Sequence, residues 1–168
     1  ANSPHLDAAP MVVEDAPIDI AGWATANNVP AYAFEDLGTV PNFRMPGVLH
    51  GMDVAVFANR CEGGTNVVAM EAMACGVPCI LSANSGHLDI ISDDNCYPLT
   101  DQTPMPGEDD PANVWRESSL DEIIECLERV YTDREDAARR GRAGSEFMTR
   151  LSWHAQVSKI VDAASDVL

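Results

Sequence analysis

Apolar and polar positions fall into blocks along residues 53–83 (DVAVFANRCEGGTNVVAMEAMACGVPCILSA), and these blocks predict the unit around which the chain is organised. Val54–Ala58 and Val77–Ser82 are short apolar runs of buried-strand length. Between them Gly63-Gly64 opens a turn, Thr65 or Asn66 is placed to cap a helix, and Gly76-Val77-Pro78 ends it. Strand, glycine turn, helix and strand make one βαβ unit of a parallel sheet. The helix is apolar on every side: Val67, Val68, Ala69, Met70, Ala72, Met73, Ala74 and Cys75 surround a single charge, Glu71. Such a pattern predicts a buried helix.

The same periodicities place the flanking elements. Ala1–Pro17 reads as loop, broken by Pro4, Pro10 and Pro17. Ile18–Asn27 has helical spacing with Asp19 near its start, Ala31–Leu37 reads as a strand, and Gly38–Asn42 as a turn. Met45–Met52 reads as a short helix begun by Pro46. After the central unit come a turn at Asn84–Gly86, a helical turn at His87–Ile91, a polar turn at Ser92–Asn95 and an edge strand at Cys96–Leu99. Thr100–Ser119, rich in Pro, Gly, Asp and Glu, reads as a surface loop pinned by Trp115. Ser119 and Glu122 have capping-box spacing at the head of a helix over Leu120–Tyr131. A charged helix over Asp133–Thr149, interrupted or kinked at Gly141, and a last helix over Ser152–Val167 complete the chain.

A carboxylate inside an apolar helix is costly without a hydrogen-bonding partner, and no Arg or Lys lies within helical reach of Glu71. Two readings follow. Either Glu71 sits on a partly wet edge or is satisfied by a distant group, or it accepts hydrogen bonds from ligand hydroxyls such as those of a ribose. Open α/β sheets bind ligands outside the carboxyl ends of their strands. Backbone N–H groups of Gly63, Gly64, Thr65 and Asn66 at a helix N-terminus suit a phosphate, or a sugar held next to one. Glu62 adds a second carboxylate at the turn.

The stretch EGGTNVVAMEAMACGVPCILSANSGHLDII resembles the donor-binding core of the retaining, GT-B type nucleotide-sugar glycosyltransferases, the "glycosyl transferases group 1" family. Glu71-Ala72-Met73-Ala74-Cys75-Gly76-Val77-Pro78 carries the match most closely, and Ser85-Gly86-His87 stands where the family has a glycine loop. The family places seven residues between its two glutamates, whereas eight separate Glu62 from Glu71 here. Read strictly, Gly63 takes the first glutamate's place; a one-residue bulge would restore Glu62. The resemblance implies an α/β, Rossmann-like parallel sheet flanked by helices, incomplete at its N-terminus. In that reading residues 1–168 are one nucleotide-sugar-binding domain, with 100–119 a surface loop and 120–168 C-terminal helices. It implies Glu71 as ligand to the ribose and the Gly63–Asn66 amides as stabilisers of the leaving diphosphate. Glu62, as the catalytic candidate, would hold a donor-sugar hydroxyl. By the same resemblance Gly38 and Thr39 line the nucleobase pocket, unless they form a plain strand-to-helix turn. Gly86 and His87 lie at the sugar or phosphate, unless His87 is a structural histidine. The partner so implied is an N-terminal acceptor-binding domain of the same enzyme, and no cofactor or metal is implied. A non-catalytic nucleotide-binding module, or another GT-B enzyme such as an epimerase or phosphorylase, are the alternatives.

Composition narrows the partners. Twenty-seven acidic residues against ten basic ones give a formal net charge of −17, a surface that repels nucleic acid and anionic lipid. An anionic donor must then be held by the local field of the helix N-terminus, with Arg60 as the nearby cation. No apolar run has the length of a membrane span, and no basic start with an apolar segment marks a signal peptide. Five cysteines without a C-x-x-C pair fit a reducing, cytoplasmic setting. His5, His50 and His154 have no metal-ligand spacing, and the Asp93-Asp94 pair reads as a solvated turn.

Overall fold

Alternation along one short strand sets the architecture. In the computed structural model, which describes residues 19–92, 94–105 and 115–165, all of Cys79–Ser82 is buried. Cys79 and Leu81 point into one apolar cluster and Ile80 into another, as a period of two requires. This strand, β2, lies between β1 (Ala55–Phe57) and β3 (Tyr97–Leu99) in a three-stranded parallel sheet. Its register pairs Val56 with Ile80 and Ile80 with Tyr97. Parallel sheets need cover on both faces. Ala69, Ala72 and Met73 of the helix Val67–Ala74 cover one face, with Met148 beside them. Cys126, Val130 and Ala137 from two later helices cover the other.

The chain divides into two compact units, Ala1–Val40 and Pro41–Leu168. In the first, α1 (Ile20–Ala26) starts where Asp19 Oδ1 accepts the Gly22 N–H at 2.8 Å. The strand expected over Ala31–Leu37 does not form: Ala31–Ala33 is a 3-10 turn, and Tyr32 is 92% exposed. A strand needs a neighbour to take its N–H and C=O groups, and among the described residues this unit offers none.

In the second unit α2 (Met45–Leu49) carries Pro46 in its first turn, where a missing N–H costs nothing. The helix Val67–Ala74 is α3, and it departs from expectation. Its inner face is buried, but Val67 and Val68 are 64% and 54% exposed, because α3 covers the sheet on one side only. Gly76 ends it at φ +77°. The Val77 N–H reaches Ala72 O and the Gly76 N–H reaches Met73 O, a Schellman closure that needs a residue free to take positive φ.

Residues 100–119, expected as loop, carry two strands, β4 (Gln102–Pro104) and β5 (Arg116–Ser118), paired antiparallel, while Trp115 stays about half exposed. Ser119 caps α4 (Leu120–Thr132). The capping box is half made: the Glu122 carboxylate turns away to accept the Thr100 and Asp101 N–H groups, each at 2.9 Å. That ties α4 to the exit of β3. Gly141 does not interrupt α5 (Arg134–Met148); its bare Cα admits the Gly76 carbonyl. The final helix, α6 (Trp153–Ser165), buries none of its described residues.

Asp136 of α5 fastens that helix to β3. It accepts from Tyr97 Oη at 3.0 Å, Arg140 Nε at 2.9 Å and Arg139 at 2.5 Å, while Arg140 also donates to Cys96 O at 2.6 Å. Partial burial pushes the Asp136 carboxyl up, but its bonds from Arg140, Arg139 and Tyr97 outweigh this and hold it well below the usual carboxylate range. A depressed folded value means stability that is complete above the unfolded carboxyl value, about 4, and is lost as pH falls toward the folded one. Asp136→Asn is expected to cost about 2 kcal/mol at neutral pH. In urea titrations its deficit against the parent chain should shrink steadily below pH 4; a deficit independent of pH would show that the charge is not what matters.

Candidate functional site

Three loops leave the carboxyl ends of the three parallel strands, and polar side chains lace them together. After β1, Asn59 and Glu62 meet: Asn59 Nδ2 donates to Glu62 Oε2 at 3.2 Å. After β2, Asn84 Nδ2 donates at 3.1 Å both to the Asn59 carbonyl and to Gln102 Oε1, beyond β3. The Glu62 N–H donates to Ser85 Oγ at 2.7 Å, and the Gly86 N–H to the Glu62 carbonyl at 3.2 Å. Ser85 takes φ +41° to make this crossing. The first and second loops are thus one construction. Asn59, Asn84 and Gln102 do not stand out in the sequence, where their only signal is a polar residue beyond an apolar run, whereas Ser85 is read there only as part of the loop Ser85-Gly86-His87.

The glycine turn rests on this frame. Gly63 and Gly64 are exposed, with open space where a side chain would be. Behind them the turn is tight: a Cβ on Gly86 would lie 1.4 Å from the Gly64 carbonyl oxygen. Asn66 caps α3, its Oδ1 accepting from the Ala69 N–H at 3.1 Å. The backbone N–H groups of Gly63, Gly64 and Thr65 have no acceptor among the described residues. Unpaired donors just ahead of a helix N-terminus are free to donate to an anion.

Glu71 lies one turn into α3 and is partly buried. Its carboxylate makes no hydrogen bond or ion pair among the described residues. It lines an apolar groove of about 540 Å³ with Val67, Met70, Met148, Leu151 and Trp153. Cys75 feels both surroundings, its thiol raised by burial and then by the Glu71 charge. Buried Cys79 and Cys96 are pushed up to about 12, chiefly by burial, so neither offers a nucleophile near neutrality.

Arg60 is ion-paired with Glu117 of β5, and its carbonyl accepts the Arg116 N–H at 2.8 Å. Gly38 and Thr39 belong to the first unit and are exposed; Gly38 takes φ +59° and donates its N–H to Asp36 Oδ1 at 2.8 Å. His87 is fully buried between Ser82 and Asn66. Among the described residues no cluster of His, Cys, Asp or Glu is placed to hold a metal, and Asp93 lies outside them. No helix among them is long and apolar enough to cross a membrane.

The family model described as "Glycosyl transferases group 1" matches residues 5–114, the span that holds the glycine turn and Glu71. The chain belongs to the glycosyl transferases group 1 family. Its fold agrees with solved structures. Sucrose-phosphate synthase from Thermosynechococcus elongatus superposes with a TM-score of 0.65 at 21% identity, over 89% of this chain and 34% of that one. Anabaena HepE, in complex with UDP and glucose, gives 0.63 at 15% identity, over 88% and 35%. This glycosyl transferases group 1 chain therefore has the Rossmann-like GT-B fold, a parallel sheet flanked by helices, and spans about a third of the length of each of those two proteins. None of the curated proteins compared with it matches.

Proposed function

We propose that the chain is the donor-binding part of a glycosyltransferase that takes a nucleotide-diphosphate sugar and passes the glycosyl group to an acceptor hydroxyl with retained configuration. An N-terminal acceptor-binding domain of the same enzyme would complete the cleft. The observation that carries this reading is the pairing of two unmet needs, one on the turn that leads into α3 and one on α3 itself. The amides of Gly63–Thr65 have no acceptor, and one turn on Glu71 has no donor, among the described residues. A nucleoside diphosphate answers both, with phosphate oxygens for the amides and ribose hydroxyls for the carboxylate.

In the reaction so proposed, the amides are aimed where charge gathers on the leaving diphosphate. Glu62, steadied through Oε2 by Asn59, holds a donor-sugar hydroxyl with its other oxygen. The UDP and glucose of the HepE complex support a nucleotide-sugar site on this fold. The five free cysteines suit a reducing, cytoplasmic setting.

Titration of the 168-residue chain with UDP and with GDP tests the site. Glu71→Gln keeps the shape but loses the charge-assisted bonds to the ribose, and should raise the Kd roughly ten- to a hundredfold. Equal Kd values in the parent and the variant would remove Glu71 from the site.

A further inference from the structure

His87 occupies an unusual position for a histidine next to a ligand turn. It is wholly buried in the 3-10 turn Ser85–Asp89, and both ring nitrogens are spoken for. Nδ1 lies 3.0 Å from the Ser82 carbonyl oxygen, which only accepts, so Nδ1 carries the proton. Asn66 Oδ1 accepts from the Ala69 N–H, which only donates, so the Asn66 amide is oriented with Nδ2 toward the ring. Nδ2 lies 3.0 Å from Nε2, so Nε2 accepts. One neutral tautomer satisfies every atom of the chain from β2 through the ring to the cap of α3.

We propose that His87 is a positioning residue for the diphosphate site. It touches no ligand; it fixes the Asn66 amide as the cap of α3, and through that cap aims the Gly63–Thr65 N–H groups outward. The ring spans the gap between the end of β2 and the start of α3, so sheet and anion-binding turn keep one spacing. The effect on ligand binding rests on the donor-site reading above, whereas the effect on the cap does not.

Two substitutions separate the ring's two bonds. His87→Gln places an amide oxygen near the Nε2 position and still accepts from Asn66. His87→Asn reaches only the Nδ1 position; it still donates to Ser82 but leaves Asn66 Nδ2 facing no acceptor. Hydrogen exchange of the Ala69 amide, followed by NMR on the ligand-free 168-residue chain, reads the cap directly. Exchange in the Gln variant should stay within about twofold of the parent, and in the Asn variant should quicken by about tenfold. The Kd for UDP should follow the same order. Equal exchange in all three proteins overturns the proposal even where UDP binds. A loss of UDP affinity as large in the Gln as in the Asn variant overturns it too, since the ring itself would then be the contact. UDP binding to none of the three overturns the donor reading, and the exchange data alone then judge the cap. Should the Asn variant not fold, the ring of the parent protein decides: nitrogen shifts of the Nδ1-H tautomer support the proposal, and those of the Nε2-H tautomer overturn it.

Discussion

Gly141→Ala is expected to destabilise the fold by about 3 kcal/mol or more. A Cβ at this position would lie 2.2 Å from the Gly76 carbonyl oxygen, 3.1 Å from its carbon and 3.4 Å from Pro78 N. All three are backbone atoms of the turn that ends α3, and none can swing aside as a side chain would. The turn is itself held by the Schellman bonds at Ala72 and Met73, and α5 is pinned on its other side by the Asp136 bonds to Tyr97 and by Arg140 on Cys96 O. Relief therefore requires α5 to lift from α3. That exposes Met148 on one cluster and Ala137 on the other. Helix propensity alone would favour alanine by up to about 1 kcal/mol, so a measured loss isolates the packing term. Gly63→Ala is the control, since a Cβ there meets nothing within 4 Å. Urea or thermal unfolding of the two variants beside the parent checks the expectation; equal midpoints for all three would mean that the contact between α3 and α5 is loose.

Much of this packing was legible in advance, and what was not has a common physical cause. The cap, open in sequence between Thr65 and Asn66 and made by Asn66, the stop at Gly76 and the parallel unit around them are local, because a capping side chain, a residue at positive φ and an apolar run each act within a few residues. The strands β4 and β5 were hidden because their pairing bridges residues 102 and 118, across a stretch whose proline and acidic residues read as loop. Glu122 misled for the same reason. Its spacing from Ser119 fits a capping box, yet the Thr100 and Asp101 amides compete for the carboxylate from outside the helix. The exposed side of α3 differs from expectation because apolar residues on all faces say that a helix can be buried, not that neighbours exist to bury it. In the candidate site, Glu71 stands out in the sequence as a lone charge among apolar residues. The part played by His87 depends on Asn66, 21 residues earlier in the chain, and only the fold brings those rings and amides together.

Among the described glycines Gly86 leaves the least room for a side chain, and this makes the second large expectation. Gly86→Ala should weaken UDP binding by about a hundredfold while leaving a folded protein. The added carbon would stand 1.4 Å from the Gly64 carbonyl oxygen, 2.6 Å from its carbon and 3.2 Å from the Glu62 oxygen, so the glycine turn must move by more than an ångström. It has room to move: Gly63 and Gly64 are exposed, and among the described residues a Cβ on either meets nothing within 4 Å. The core clusters lie beneath the sheet faces and are untouched, which is why stability should fall far less than in Gly141→Ala. The displaced turn, by contrast, shifts the Gly63–Thr65 amides relative to α3 and breaks the Gly86 N–H bond to the Glu62 carbonyl. Donors preset on a phosphate lose their advantage with a shift of that size, since their strength lies in being aimed before the ligand arrives. Calorimetric titration with UDP, beside circular dichroism to confirm the fold, measures both halves of the expectation. An unchanged Kd in a folded Gly86→Ala protein would place the phosphates elsewhere than on this turn, whatever Glu71 proves to hold.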